Sequence, residues 1–293
     1  MKILVTGANG QLGCEIKEVA IYNPFFFKGG LHFVDLRDFD ITNKSALENA
    51  IKEYRPELVM NFAAYTAVDK AETERDIAFA VNSTAVEHLA ELSNQHQFFL
   101  LHISTDYVFD GKSHLPISED HPMAPESYYG ISKASGEVQM RRICRHGAII
   151  RTSWLFSHYA RNILKTVLEL AIDKKEIKMV CDQIGTPTYA ADLAQFIMCY
   201  FEKMMKIKGV ETYHFSNSGV ASWYDFAYTV VDLTDLACKV VPISTAEYPS
   251  AAPRPAYSVL SKQKILKTFK YVPRHWSAAL FDCLNKFQEP ETE

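Results

Sequence analysis

The sequence predicts an α/β fold, a doubly wound parallel sheet of the Rossmann-like type, with a smaller C-terminal substrate lobe. The first half alternates short apolar segments with amphipathic ones, a pattern typical of repeated strand–helix–strand units. The apolar segments lack a polar face, so we expect helices on both sides of the sheet. Three glycines, Gly7, Gly10 and Gly13, lie between the first strand and the first helix. Sheets of this type bind ligands beyond the carboxyl ends of their strands, which directs attention to that edge.

The elements of the first half follow one another at short intervals. Strands are predicted at 2–6, 31–35, 57–61, 98–104 and 148–152, and helices at 11–20, 44–54, 73–94 and from 125 toward 145. The chain is expected to leave the sheet near Phe156, to return near Tyr189, and to add a strand at 213–217. This path predicts a dinucleotide-binding domain of 1–156 plus 189–220 and a substrate lobe of 157–188 plus 221–293.

Composition excludes several classes of protein. The chain of 293 residues is 48% hydrophobic and carries a net charge of -4, so nothing indicates a nucleic-acid partner. It has no apolar run near the length that crosses a bilayer, and its first residues already read as a strand, so we expect neither a membrane segment nor a signal peptide. Its six cysteines are scattered, which predicts neither zinc nor disulfides and favours the cytoplasm.

The glycine-rich turn is the first candidate site. A turn without Cβ atoms lets a phosphate approach the backbone, and the helix behind it directs free N–H groups and a positive dipole end at that phosphate. The spacing is G-x-x-G-x-x-G, whereas most dinucleotide folds have G-x-G-x-x-G. The prediction of a bound dinucleotide therefore depends on the strand–turn–helix context more than on the glycines alone.

Asp35 ends the second predicted strand, where a carboxylate can accept hydrogen bonds from the adenosine ribose and repel a 2′-phosphate. That position favours NADH. Arg37 lies two residues further on and could instead attract the 2′-phosphate, so the predicted cofactor is NADPH or NADH. Asp40 and Ile41 are expected to flank the adenine.

Tyr129 and Lys133 are the candidate catalytic pair. They lie four residues apart on a predicted helix and therefore share a face. A nearby ammonium favours the phenolate and eases proton exchange near neutral pH. This spacing would arise by chance in a chain of this composition, so its weight comes from its place in the order of the strands.

Thr105 is the third candidate, because it follows the fourth predicted strand. A hydroxyl there can hydrogen-bond a substrate oxygen and stabilise developing negative charge. Ser104 competes for this role, and only one of the two side chains should face the site, since neighbours on an extended segment point in opposite directions.

These residues resemble the extended short-chain dehydrogenase/reductase superfamily. Longer strings are more specific and resemble the dTDP-4-dehydrorhamnose reductases; they lie at 61–72, 104–111, 151–156, 182–188 and 254–260. The likeness runs in order over nearly the whole chain. It implies hydride transfer from the nicotinamide cofactor to the 4-keto carbon of dTDP-6-deoxy-L-lyxo-4-hexulose, giving dTDP-L-rhamnose.

The resemblance also implies roles for single residues. Tyr129 would donate the proton to the new hydroxyl, Lys133 would lower the pKa of that phenol and hold the nicotinamide ribose, and Thr105 would bind the reacting oxygen. Asn82 would complete a proton relay. The other implied cofactor contacts are Gly10, Gln11, Leu12, Ala63, Ala64, Tyr65 and Thr66. The implied substrate contacts are Thr105, Asp106 and Trp154, with Gln183, Thr188 and Arg254 toward the base or diphosphate.

The chain departs from the family pattern in three places. Tyr65 stands where members usually have histidine, and 157–163 lacks the usual glycine-containing turn before Asn-Phe. Both bear on the identity of the sugar. Some members bind magnesium through acidic residues at a dimer contact; Glu15 is present here, but Ala191 and Pro290 stand near places where acids would be needed. We therefore expect no metal and leave a homodimer possible.

Other classes fit the residues less well. A related dehydratase would need a glutamate where Tyr107 stands, and a 4-epimerase matches the longer strings poorly. A reductase of another keto sugar nucleotide stays open. The non-enzyme alternative is a regulatory subunit resembling the methionine adenosyltransferase β-subunit, which shares the string at 104–111 and the Tyr/Lys helix. Trp154 and the segment 185–188 favour the reductase.

Overall fold

The structure, a computed structural model, describes residues 1–22 and 30–287. Its strands are β1 (Ile3–Thr6), β2 (Leu31–Val34), β3 (Leu58–Asn61), β4 (Phe99–Thr105), β5 (His146–Thr152), β6 (Leu155–Phe156), β7 (Glu176–Val180), β8 (Ile184–Gly185), β9 (Thr188–Tyr189), β10 (Gly209–His214), β11 (Ala221–Ser222) and β12 (Lys239–Ile243). Its α-helices are α1 (Gln11–Ile21), α2 (Lys44–Tyr54), α3 (Arg75–Phe79), α4 (Ala85–His96), α5 (Tyr128–Ile143), α6 (Ile163–Asp173), α7 (Ala190–Met205), α8 (Trp223–Thr234), α9 (Gln263–Phe269) and α10 (Trp276–Lys286). Among these residues, no helix combines the length and the apolar character that a bilayer span requires.

The centre of the molecule is a parallel sheet of six strands in the order β10-β5-β4-β3-β1-β2. One face packs against α1 and α7, and the other against α2, α4 and α5. β1 and β3 are buried throughout, since both of their faces are covered. The predicted doubly wound sheet is therefore confirmed, and the carboxyl ends of its strands meet at one edge.

The predicted helix at 73–94 is interrupted. The structure has α3, then a π-helical turn at Ala80–Thr84, then α4. Within that wider turn, the Asn82 side chain accepts a hydrogen bond from the Tyr65 N–H at 2.9 Å and donates to the Tyr65 carbonyl at 3.0 Å. A π-turn of this kind is often found at functional sites, and periodicity alone does not reveal it.

The predicted strand at 213–217 is wrong at its end. β10 begins at Gly209, pairs along β5 and stops at His214. Beyond it Asn217 leaves the ladder, because its side chain accepts from the Tyr189 N–H at 2.8 Å and donates to Asp192 at 2.6 Å. These side-chain bonds tie the strand end to the start of α7.

A second hydrophobic core lies outside the main sheet. It is formed by α6, α8 and α10 together with β7, and includes the buried side chains of Phe156, Phe226 and Trp276. β7 pairs in parallel with β12, and β8 pairs antiparallel with β11. This core supports the division of the chain predicted from the sequence, which we retain as a proposal.

A buried ion pair fastens α5 to the sheet. Arg151 on β5 donates to both carboxylate oxygens of Glu137 at 2.8 Å, and Arg141 adds a bond at 2.7 Å. Burial alone would raise the pKa of Glu137, but the bonds and charge of Arg151 outweigh it and hold that pKa below its ordinary value. Tyr129 and Lys133 precede Glu137 on the same helix, so the pair fixes the height of both side chains above the sheet.

We expect Arg151→Met to destabilise the fold by about 3–5 kcal/mol, because it leaves the Glu137 carboxylate buried without its main partner. Urea unfolding at pH 7 measures this loss. Arg142→Met is the matched control on α5: it removes an exposed bond to Glu87 and should cost less than about 1 kcal/mol. Equal losses in the two variants would contradict the anchoring role of Arg151.

Candidate active site

A large cavity, of about 1100 Å³, runs along the carboxyl edge of the sheet and continues between α6 and β7. It gathers almost all of the residues predicted from the sequence. The predicted residues that line it are Gly7, Gly10, Gln11, Leu12, Gly13, Asp35, Asp40, Ile41, Ala63, Ala64, Tyr65, Thr66, Thr105, Asp106, Tyr129, Lys133, Trp154, Gln183 and Arg254. Thr188 is not among the lining residues: it is fully buried on β9.

The glycine turn places the amino end of α1 at the cavity. Gly7 has a φ of +68°, and a Cβ there would lie 2.6 Å from the Ala63 nitrogen. A Cβ on Gly13 would lie 2.4 Å from the Gly7 carbonyl oxygen. These two glycines therefore let the turn pack against itself and against β3. Gly10 is the N-cap and makes no side-chain bond to α1, so the first N–H groups of the helix stay available to an anion.

Asp35 sits beside the glycine turn and is already hydrogen-bonded. Its carboxylate accepts from the backbone N–H of Asn9 at 2.8 Å and from that of Leu36 at 2.7 Å. Asp40 accepts from the Thr42 N–H at 2.8 Å and borders the same end of the cavity as the buried Ile41. Backbone donors hold the Asp35 carboxylate in place at the position expected to meet a ribose.

The Tyr129 phenol lies at the floor of the cavity. Burial raises the pKa of Tyr129, and hydrogen bonding with the Thr105 hydroxyl offsets that rise only in part. Thr105 donates in turn to Asp106 at 3.0 Å and accepts from the Tyr107 N–H at 3.2 Å. Ser104 also lines the cavity, so its competition with Thr105 stays open. The phenol therefore holds its proton at neutral pH, as a proton donor must.

Lys133 makes other contacts in this structure, and the lowering of the Tyr129 pKa that the resemblance implies for it stays a prediction. Its ammonium donates to the Ile103 carbonyl at 2.7 Å and lies 3.3 Å from His102 Nε2. Burial lowers the pKa of Lys133 to about 8, and the charge of Glu137 offsets that fall only in part.

Asn82 and Tyr65 are bonded to each other beside the cavity, and the proton relay implied for Asn82 stays a prediction. Asn82 donates to Ser132 Oγ at 3.0 Å and bonds both backbone groups of Tyr65, and it does not line the cavity. The Tyr65 hydroxyl donates to Glu74 at 2.6 Å, and this bond raises the pKa of Tyr65 to about 12. The side chain that replaces the family histidine therefore binds an acid on the helical side of the rim.

An aromatic pair walls the substrate side. Trp154 stacks on Trp223 with ring centroids 3.4 Å apart and an interplanar angle of 4°. Trp154 has a φ of +49°, and a Cβ on Gly185 would lie 2.5 Å from its Cε2 atom. Trp154 is thus held by its neighbours, and its contact with a sugar stays a prediction.

Gln183 and Arg254 are partly engaged with the protein. Gln183 donates to the Thr245 hydroxyl at 3.1 Å. Arg254 donates to Asp69 at 2.6 Å and to the Tyr107 hydroxyl at 3.0 Å. Both line the cavity, but the Arg254 guanidinium already has a carboxylate partner, so its charge is largely balanced before a diphosphate arrives.

Sequence reasoning missed the part of the cavity that lies in the second lobe. Ile163, Val167, Leu170, Met179 and Val180 give it an apolar lining. Trp223, Arg161 and Lys178 also line it, and the two cations are exposed. The only signal in the sequence was the capping pattern of Ser222 with Asp225, which starts α8 at Trp223.

Three possible metal ligands lie close together near α1, but protein groups already bond to them. Ligand atoms of Glu15, Glu18 and His158 lie within 4.8 Å of one another. Burial raises the pKa of Glu15 to about 7, Ser157 donates to it at 2.6 Å, and Lys286 lies 3.1 Å from Glu18. Protein donors thus already occupy this cluster. Pro290 lies outside the described residues, and the absence of a metal stays a prediction.

The fold and the cavity together define a Rossmann-type protein of the short-chain dehydrogenase/reductase class. The amino end of α1 faces the cofactor half, and the Tyr/Lys helix α5 faces the strand tip at Thr105. The chain belongs to the family described as the RmlD substrate binding domain, whose profile matches residues 1–289.

Individual relatives match over nearly their whole length. The spore coat polysaccharide biosynthesis protein SpsK of Bacillus subtilis is 39% identical, over 97% of this chain and 97% of its own. A dTDP-4-dehydrorhamnose reductase of Aggregatibacter actinomycetemcomitans is 39% identical, over 95% and 97%. The crystal structure of the dTDP-4-dehydrorhamnose reductase of Bacillus anthracis in complex with NADP is similar with a TM-score of 0.91 and 36% identity, over 98% of this chain and 100% of that one.

We expect Asp106→Asn to change how stability depends on pH. Burial raises the pKa of Asp106 to about 6, so its native-state contribution to stability is present below about pH 4 and is lost as pH rises through about 6. The asparagine variant lacks this loss. Between pH 4 and pH 8 the free energy of unfolding should therefore shift by about 2–3 kcal/mol in favour of the variant.

Urea unfolding across that pH range makes the comparison. Asp110→Asn is the control, because Asp110 lies four residues on and bonds the Lys112 N–H at a partly exposed position. A wild-type protein that gains stability relative to Asp106→Asn as the pH rises would contradict the assignment.

Proposed function

We propose that this chain is an NAD(P)H-dependent dTDP-4-dehydrorhamnose reductase, which transfers a hydride to the 4-keto group of dTDP-6-deoxy-L-lyxo-4-hexulose and forms dTDP-L-rhamnose. The observation that carries the proposal is the meeting of a protonated Tyr129, Thr105 and Lys133 in one cavity with the glycine turn. Relatives that bear this activity in their names match over nearly the full chain, which supports it further.

The cofactor half of the cavity fits a nicotinamide dinucleotide. Free N–H groups at the start of α1 suit a pyrophosphate, and no acidic residue in the first turn of that helix opposes one. The NADP bound by the Bacillus anthracis relative supports the phosphorylated cofactor, whereas the Asp35 carboxylate at the ribose position favours NADH. We therefore retain NADPH or NADH, with Asp35, Asp40 and Ile41 as proposed contacts.

The second-lobe half fits a nucleotide with a negative diphosphate. Its apolar lining between α6 and β7 suits a base, and Arg161 and Lys178 bring positive charge to the same space. In the described residues, the Arg161 side chain has no carboxylate within ion-pair distance, unlike that of Arg254. We therefore assign the diphosphate to Arg161 ahead of Arg254, and retain Trp154, Asp106 and Gln183 as proposed sugar-side contacts. Thr188 could act only through its neighbours, because it is buried.

Thr105, Tyr129 and Lys133 have different roles in the proposed reaction. The bound cofactor supplies the hydride. Thr105, whose hydroxyl donates to Asp106 in this structure, would turn that proton to the carbonyl oxygen, and Tyr129 would deliver its own proton as negative charge grows there. Lys133 retains one N–H for the cavity, where a nicotinamide ribose would lie. The high pKa of Tyr129 keeps the proton in place until the oxygen becomes basic enough to take it.

Two alternative functions differ from the proposed one in what they require of the cavity. A regulatory subunit would share the fold but would not need Tyr129 and Thr105 to meet in an open cavity. A reductase of another keto sugar nucleotide would use the same residues with different contacts near Arg161. A cytoplasmic location and a homodimer complete the proposal; each follows from the sequence and the family and remains a prediction.

Tyr129→Phe should lower kcat with the 4-keto dTDP sugar by about 10²–10⁴-fold, because the variant lacks the proton donor. Binding of NADPH should stay within about twofold, since the phenol proton takes no part in it. Tyr128→Phe is the matched control: that ring packs against Arg75 outside the cavity and should leave kcat unchanged. A wild-type protein without turnover that binds a partner enzyme tightly would favour the regulatory alternative.

Arg161→Met should raise KM for the sugar nucleotide by about 10–100-fold, which matches the loss of one charge-assisted hydrogen bond. The Kd for NADPH should not change, because Arg161 lies in the second lobe. Lys174→Met, an exposed position beyond the end of α6, controls for loss of charge alone. An unchanged KM in Arg161→Met would return the diphosphate to Arg254.

A further inference from the structure

A line of buried polar side chains runs beneath the cavity and ends at Lys133. It crosses three neighbouring strands: Thr6 on β1, Asn61 on β3 and His102 on β4. The Thr6 hydroxyl lies 2.7 Å from Asn61 Oδ1, Asn61 Nδ2 lies 3.1 Å from His102 Nδ1, and His102 Nε2 lies 3.3 Å from the Lys133 ammonium. The first three side chains are fully buried and Lys133 nearly so. None of the first three lines the cavity, so the mechanism above does not use them.

Counting donors fixes the protons along this line. An ammonium has three N–H donors and no acceptor. Lys133 uses one of them on the Ile103 carbonyl at 2.7 Å. A second is directed at His102 Nε2, which must then carry a lone pair, and the ring proton must lie on Nδ1. The third N–H is left for the cavity that Lys133 lines.

The Asn61 amide adjusts to this arrangement. A proton on His102 Nδ1 needs an acceptor, and the two ends of an asparagine amide have nearly the same shape, so the amide can present its oxygen to the ring. Its NH₂ group then donates to the Thr6 hydroxyl oxygen. Each contact along the line then joins a donor to an acceptor, whereas a proton on Nε2 would face the ammonium with a second donor.

Among the groups around Lys133, His102 is the neutral side chain that can accept a hydrogen bond from the ammonium. Glu137, one turn further along α5, is the carboxylate whose charge supports the ammonium, but Arg151 and Arg141 bind it directly. Tyr129 on the same helix is neutral. From β4, burial and the Lys133 charge lower the pKa of His102 well below its ordinary value, so the ring is neutral as well. The neutral ring can therefore accept from the ammonium without competing for charge.

We propose that His102 is a positioning residue for Lys133: its Nε2 lone pair and the Ile103 carbonyl hold two ammonium N–H groups, so that the third points into the cavity. The part that His102 plays in turnover rests on the proposed function, but the arrangement itself does not. With its amide oxygen turned toward Nδ1, Asn61 accepts the ring proton from behind, and Thr6 bonds the other end of that amide. The orientation of the Lys133 side chain on α5 thus depends on the order of the neighbouring strands β1, β3 and β4.

The first test reads the tautomer in the wild-type protein. Nitrogen-15 NMR of the histidine rings distinguishes a protonated Nδ1 from a protonated Nε2, and the signals missing in His102→Gln identify the residue. We expect His102 to be neutral with its proton on Nδ1 between pH 6 and pH 8. A proton on Nε2 would overturn the proposal, whether or not any variant folds well.

The second test reads the lysine directly. The Lys133 ε-carbon signal, assigned by its loss in Lys133→Met, is titrated in the protein without cofactor or substrate. His102→Leu removes an acceptor, so the midpoint should fall by about one pH unit, whereas His102→Gln retains an acceptor oxygen and should restore most of it. The control is His214→Gln, since His214 is equally buried but bonds Ile117 and Arg151 instead. Equal midpoints in wild type and His102→Leu would overturn the proposal.

Kinetic measurements then distinguish the proposed reductase function from the proposed role of His102. If the protein reduces the sugar, His102→Leu should raise KM for NADPH more than it lowers kcat, and the alkaline fall of kcat/KM should move to lower pH by the same amount as the lysine midpoint. A wild-type protein that fails to reduce the sugar contradicts the proposed function alone, since both NMR measurements are made without substrate. A shifted lysine midpoint with an unshifted pH profile would overturn the role of His102 in turnover.

Discussion

The close seating of α5 on the sheet is the constraint on which the rest of the site depends. The Glu137–Arg151 pair pins the middle of the helix, and two glycines allow it to approach its neighbours without side chains between. A Cβ on Gly136 would lie 2.1 Å from the Asn82 carbonyl oxygen, and one on Gly130 would lie 2.2 Å from the Tyr107 carbonyl oxygen. Both distances are shorter than any non-bonded contact allows, so the helix could not sit where it does with larger residues. The phenol and the ammonium reach the strand tip only because of this contact.

Burial, rather than pairing of charges, sets the proton balance of the site. It raises the pKa of Tyr129, raises that of Asp106 to about 6 and lowers that of Lys133 to about 8. Each shift disfavours a charge, as expected where water is excluded. A site prepared in this way keeps its phenol donor protonated at neutral pH, while Lys133 is still an ammonium there. A phenol that retains its proton fits the reduction of a carbonyl, whose oxygen must take up a proton.

The rule that ligands bind at the carboxyl ends of parallel strands found most of the cavity, because it depends only on strand order and short spacings. It reached Gly7, Asp35 and Thr105 correctly as lining residues, with Tyr129 added from its helix. It could not find Arg161 or Trp223, since their approach to the cavity depends on how the second core packs. Nor could it show that Lys133 turns toward His102, because that contact joins a helix to a strand 31 residues earlier. Long-range packing decides these features, and no local pattern reports it.

Two of the departures from the family pattern, at Tyr65 and at 157–163, lie among the described residues, and their contacts show what each one changes. Tyr65 directs its hydroxyl to Glu74, so the substitution alters the rim and not the floor of the cavity. The loop at 157–163 keeps a left-handed residue without a glycine: Ala160 has a φ of +50°, and Asn162 holds the turn by donating to the carbonyls of Ser157 and Tyr159 while it caps α6. The cost of a non-glycine residue at that φ is therefore offset by the bonds of one asparagine. This turn brings Arg161 to the cavity. The substitutions in 157–163 therefore affect how a nucleotide would be held. They do not change the groups proposed to transfer the proton.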